Sequence, residues 1–156
     1  MTPDSDPRMT LNAVRLLVAV GFIAIVWALA YLGGWHRLAR QYKARSAFVG
    51  RRLRFQSLQL RGWCGYNGCV RAGADPFHLS LALWPILRLG HPPLLIPWSD
   101  VSARAESGRF IRVVVLHFAA EPGVAMRISE RLAKKLAAES RGAFEISTWS
   151  CSVLPS

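Results

Sequence analysis

Residues 16–35 read LLVAVGFIAIVWALAYLGGW, twenty positions without one charge, bounded by Arg15 on one side and His36-Arg37 on the other. Wound as an α-helix at about 1.5 Å per residue, the stretch covers ~30 Å, the hydrocarbon thickness of a bilayer. Its apolar residues surround the helix rather than forming one stripe, the distribution that lipid on every side requires. A soluble protein would have to bury such a helix, and a chain of 156 residues leaves too little other structure to cover it. Trp27, Tyr31 and Trp35 crowd toward its C-terminal end, where aromatic rings favour the headgroup level. The expected organisation follows: a short extracytoplasmic tail at 1–15, a transmembrane helix at 16–35, and everything else beyond it.

The flanks orient the span. Arg8 and Arg15 precede it, with Asp4 and Asp6 nearby, whereas seven bases follow within residues 36–54. Positive flanks stay in the cytoplasm, which predicts the N-terminus outside and residues 36–156 inside, in a bacterial inner membrane. Ala28-Leu29-Ala30 after a basic start and an apolar run also resembles a secretory cleavage site. Against cleavage, the apolar run continues past Ala30, Tyr31 and Trp35 anchor an interface, and seven bases would have to be translocated. The stretch therefore reads as an anchor, with a secreted β-domain as the option if it is cleaved.

Composition narrows the rest. The chain is formally +11, 52% hydrophobic and 19% charged, which excludes disorder, and its three cysteines exclude a disulfide scaffold. Residues 7–74 hold eleven bases and no acid, while from Asp75 onward nine bases face seven acids. The excess charge thus adjoins the membrane, and topology already explains a sequence pI near 11.0 without a nucleic-acid partner. Arg outnumbers Lys 17 to 3, which fits a GC-rich bacterial source.

Residues 36–50 begin with a Gly- and Pro-free run and are expected to form a basic helix leaving the membrane. After Gly50, β-type segments separated by turn residues take over. A first strand is predicted from Arg51 to Leu60, with a slip in alternation near Ser57-Leu58 that marks a bulge. Gly62 to Gly68 reads as turn and Cys69 to Ala72 as the second strand. Phe77, Leu79, Leu81 and Leu83 alternate cleanly in a third. Leu94-Leu95-Ile96 stopped by Pro97, then Val101 to Glu106, Phe110 to Phe118, and Val124 to Ile128 complete seven strands. Ser129 is a fitting N-cap for a helix carrying Leu132 and Leu136, with a Glu130–Lys134 pair and Gly142 as stop. The predicted class is α+β: a transmembrane helix, then a seven-stranded antiparallel barrel or sandwich with a C-terminal helix over 51–141, and a tail at 142–156.

Residues 90–101, GHPPLLIPWSDV, resemble the central region of bacterial pleckstrin-homology-like and GRAM-like domains, where an apolar strand ends in an I-P-W-S-D-I/V turn. They are also similar to a group of uncharacterised single-pass bacterial membrane proteins with the same stretch. The resemblance implies a pleckstrin-homology-like scaffold for lipid headgroups or protein ligands, and it transfers no ligand residue. Physically, Pro97 favours a strand exit, Trp98 can plug a barrel end, and Asp100 can accept backbone hydrogen bonds in the turn.

Chemistry is sparse. Cys64 and Cys69 lack further ligands at metal spacing, and His36, His78, His91 and His117 are scattered over different elements. No nucleophile triad, paired carboxylates or phosphate loop is present, so neither an enzyme nor a cofactor is expected. A Cys64–Cys69 disulfide across residues 65–68 would signal the reversed topology. The expected working surface is basic: Arg37, Arg40, Lys43, Arg45, Arg51, Arg52, Arg54 and Arg61, facing anionic phospholipid headgroups or an acidic protein partner. The alternative is a small subunit or assembly factor of an envelope complex, packing through Ala24, Ala28 and Gly33-Gly34 of the span.

Overall fold

A computed structural model describes residues 7–88, 90–107 and 112–150. Its first element, α1, runs from Pro7 to Leu32, and its side chains from Leu11 to Leu32 are exposed almost throughout. Over Arg8–Leu32 this is one helix long and apolar enough to cross a membrane, with a mean hydropathy of 2.4 across its most apolar 18-residue window. Gly33 and Gly34 end it, and Gly34 takes the left-handed φ of 90° that a side chain resists.

The helix expected to continue over 36–49 is replaced by something else. A separate helix, α2, spans only Trp35–Tyr42, and residues 43–50 then run as non-helical chain. Its buried residues are Trp35, Leu38, Ala39 and Tyr42, the i, i+3, i+4, i+7 stripe of an amphipathic helix. Trp35 and Leu38 are fully buried in the core of the β-domain. Trp35 is therefore not the interfacial end of a span but a core residue.

Eight strands follow: β1 (Arg52–Leu60), β2 (Cys64–Ala74), β3 (His78–Leu83), β4 (Leu94–Pro97), β5 (Val101–Ser107), β6 (Arg112–Phe118), β7 (Met126–Ser129) and β8 (Ile146–Ser150), with helix α3 (Glu130–Glu139) between the last two. They form one sheet in the order β4-β3-β2-β1-β7-β6-β5-β8. The first seven pair antiparallel, and β8 joins β5 in parallel. The predicted seven strands and terminal helix are present. The predicted tail is not: residues 142–150 hold the buried Phe144 and the eighth strand.

The sheet has to curl. β4 and β5 stand six places apart in its order, which in a flat sheet would separate them by ~29 Å. Only the three-residue turn Trp98–Asp100 joins them, a reach of no more than ~14 Å. The rolled sheet encloses Leu60, Leu81, Ile96, Leu116 and Met126, and α3 packs Leu132 and Leu136 against it from β2, β6 and β7.

Local chemistry sets the details. The β1–β2 turn has positive φ at both Arg61 (52°) and Gly62 (78°), the twist a tight hairpin demands. The bulge expected in β1 lies between Leu53 and Leu58, with Phe55 at φ 56°. β2 begins five residues before its predicted start, because Gly68 (φ 65°) makes an irregularity inside the strand rather than a turn; its N–H donates to Ser57 Oγ at 2.9 Å. Residues 65–68 are thus strand backbone, and the tight loop that a Cys64–Cys69 disulfide would close does not exist; both cysteines are free. Phe77 lies outside β3 and is exposed, while the Asp75 carboxylate accepts from the Phe77 and His78 N–H groups. Ser129 caps α3, its Oγ accepting from the Leu132 N–H at 3.2 Å, and Glu130 pairs with Lys134 at 2.7 Å. Cys151 and the predicted strand residues 110–111 lie outside the described residues.

Candidate membrane-facing surface

The joint between α1 and the β-domain is built from tightly packed small residues and buried polar groups. Val26 and Ala30 are buried where the last turns of α1 meet the domain. A Cβ on Gly33 would lie 2.6 Å from the Leu29 carbonyl oxygen and 2.7 Å from Cys64 Sγ, so only glycine fits. Gly34 packs against Val124 and the Arg61 stem. Both glycines are therefore consumed by their own domain and do not offer a close-approach surface to a second span.

Hydrogen bonds fasten the same joint. Arg61 Nη1 donates to the Leu32 carbonyl at 3.3 Å, placing a cation on the unsatisfied C-terminal end of α1. The Tyr66 hydroxyl reaches the Leu29 carbonyl at 3.4 Å and His91 Nε2 at 3.0 Å. Burial first, and then the adjoining Cys64 and Cys69 thiols, hold the Tyr66 phenol far above its ordinary range; burial also raises Cys69. A cavity of about 130 Å3 remains between α1 and β2, lined by Val26, Leu29, Cys69 and Leu87 among others.

Further along, Trp35 Nε1 donates to the Pro92 carbonyl at 2.9 Å, and the Tyr42 hydroxyl donates to Asp100 Oδ2 at 3.0 Å while accepting from the Ala120 N–H. The Asp100 carboxylate, instead of collecting backbone N–H groups as the turn chemistry suggests, accepts from the Tyr42 and Ser99 hydroxyls. Partial burial, followed by Asp100 and more weakly Glu121, raises Tyr42 against the opposing effect of the Ala120 N–H. Trp98 is buried, stacked on Phe144 at 4.8 Å, and its indole N–H donates to the Asp75 carbonyl.

The eight basic residues do not form one continuous face. Arg37 and Arg61 collar the end of α1, and Arg37 pairs with Glu121 at 3.1 Å. Arg51 pairs with Glu139 of α3 at 3.5 Å. Arg40, Lys43 and Arg54 are exposed. Arg45 and Arg52 come together on one concavity, joined there by Arg88, which charge counting along the chain does not single out. Two large apolar side chains of the β-domain are also left exposed in turns. Trp63 lines an open concavity with Gln59 of β1 and Arg127 of β7, and Ile86 is next in the chain to Leu87 of the joint cavity. Neither residue stands out in the sequence, because each lies in a turn.

No known protein family matches the chain, and no curated protein matches it in sequence. Neither comparison supports the resemblance of residues 90–101, and the architecture shown is the coarser one: an apolar N-terminal helix, a curled sheet with seven antiparallel strands, and a helix after them.

Proposed function

We propose that the chain is a single-pass membrane protein whose β-domain, pleckstrin-homology-like in plan, is held on an anionic bilayer surface as a binding module. The observation that carries this is the packing of Val26, Ala30 and Gly33 of the apolar helix against the domain. A disposable signal sequence has no reason to fit its cargo, whereas an anchor that positions its domain does. The apolar surface of α1, exposed apart from Val26 and Ala30, supports lipid contact along it. Arg61 on the C-terminal end of α1, with Arg37 in the helix that follows, supports a headgroup-level position for the end of the domain next to it, since basic residues favour that depth. By the positive-flank rule the domain is cytoplasmic and the N-terminus lies outside, in a bacterial inner membrane.

The test is expression of the full chain in a bacterium with a C-terminal reporter active in only one compartment, followed by alkaline carbonate extraction. Cytoplasmic activity in a pellet that resists extraction is expected. A mature N-terminus at Tyr31, or reporter activity in the periplasm, overturns the reading. Recovery from mild detergent as a discrete heteromer would favour the subunit role instead.

A further inference from the structure

We propose that Arg45, Arg52 and Arg88 form one stoichiometric site for a phosphate group; where that phosphate belongs to a lipid, the site rests on the membrane reading above. Residues 43–50, expected as helix, instead lie across the outer face of β3 as a strap. Lys43 bridges to Leu94, and the Ala44 N–H donates to the Pro93 carbonyl at 2.9 Å. Farther along, Phe48 packs onto Gly73, where a Cβ would come within 2.7 Å of its ring. Arg52 locks the strap from β1, its guanidinium 5.6 Å over the Phe48 ring and donating to the Phe48 carbonyl at 3.3 Å.

Under the strap is a concavity of about 300 Å3, within the size range of small-ligand sites. Ser80 and Ala82, buried although they point away from the sheet's core, help to line it, together with Ser46 and the three arginines. Among the described residues no carboxylate lines it. Among the described residues none of the three arginines has an acidic partner, in contrast to Arg37 and Arg51. Three guanidinium groups sharing a cup repel one another and collectively favour an anion, and their planar donors with two hydroxyls match phosphate oxygens. Topology alone explains Arg45 and Arg52. It does not explain Arg88, which belongs to the charge-balanced part of the chain. Arg88 is also near the anchor: a Cβ on Gly90, two residues on, would lie 3.3 Å from Trp27 of α1. A headgroup phosphate is the source nearest at hand.

The test is native mass spectrometry of the full chain in a zwitterionic detergent, titrated in one arm with phosphatidylglycerol and in another with inorganic phosphate, with phosphatidylcholine as reference. One bound phosphatidylglycerol per chain is expected, weakened about tenfold or more by Arg88→Ala and by Arg45→Ala/Arg52→Ala, and unaffected by Arg131→Ala on α3. Phosphate binding with the same variant dependence and no preference for the lipid supports the site with a soluble ligand. Binding unchanged by Arg88→Ala in both arms overturns it, as does an equal loss in Arg131→Ala, which would mean diffuse attraction. Carbonate extraction of the same variants reports separately on the anchor, so loss of the site and loss of the membrane reading are distinguishable.

Discussion

The Trp35 indole N–H donates to the Pro92 carbonyl at 2.9 Å, tying the first residue after the Gly33-Gly34 break to the loop before β4. Trp35 is fully buried and also meets the Tyr66 and His91 rings. The chain leaving the apolar helix thus enters the domain's core at once, with no linker in which the two could move independently.

Trp35→Ala should accordingly destabilise the whole domain by about 3–5 kcal/mol, the cost of emptying a large aromatic site. Trp35→Phe should lose less, about 1–2 kcal/mol, for the missing hydrogen bond and the stranded carbonyl. Denaturant unfolding of the full chain in detergent, followed by near-UV circular dichroism, measures both. Equal midpoints for Trp35→Ala and wild type would remove α2 from the core.

The glycine break makes a graded set. Gly33→Ala forces its Cβ onto a backbone oxygen and a sulfur, and Gly34→Ala places a side chain at φ 90°. Each should cost more than about 1 kcal/mol. Gly21 serves as control, because a Cβ added there would meet nothing within 4 Å. Gly21→Ala is expected within roughly 0.5 kcal/mol of wild type. Thermal melts of the three variants rank them. A neutral Gly33→Ala would mean that helix and domain are not packed as described.

Legibility in the sequence tracked how locally each feature is encoded. The alternation of Leu79, Leu81 and Leu83 and the Ser129 cap need only neighbouring residues, and both stand in the structure. α2 is obscured because Arg37 and Arg40 suggest a solvated juxtamembrane face, although Trp35, Leu38, Ala39 and Tyr42 already spell a buried stripe. The start of β2 is hidden by Gly65 and Gly68, which read as turn residues until pairing with β1 absorbs one as an irregularity. β8 pairs in parallel with a strand some forty residues earlier, a partnership that no local pattern announces. The basic pocket is of the same kind. Arg45 and Arg52 are visible as charges, but Arg88 joins them only because the strap crosses β3.

Ser129 closes β7 and opens α3, so its hydroxyl does its work at a junction. Ser129→Ala strands the Leu132 N–H and should cost about 1 kcal/mol, whereas Ser129→Asp, another good N-cap, should stay near wild type. A melt of both variants checks it. Loss of stability in both would assign the effect to the pairing of Ser129 with Val113 rather than to the cap.

Alkaline pH should unfold the domain by way of the joint. At pH 7 the Tyr66 phenol and the Cys69 thiol are neutral in the folded and the unfolded chain alike, so neither gives stability a slope. Above the ordinary thiol value of 9.0 the unfolded chain releases the Cys69 proton while the folded chain retains it, and above 10.0 the same holds for Tyr66 and for Tyr42. The folded state then binds more protons than the unfolded state, and stability falls as pH rises, by at most about 1.4 kcal/mol per pH unit for each group. The decline should begin near pH 9 and steepen past 10. Tyr66→Phe removes the hydrogen bond to His91 and should cost about 1 kcal/mol at pH 7. The same variant should lose stability less steeply between about pH 10 and 11, because its buried ring has no proton to give up. Unfolding free energies measured from about pH 7 to 11 for both proteins decide it: parallel curves above pH 10 would show that Tyr66 is not being kept neutral by its burial beside the thiols.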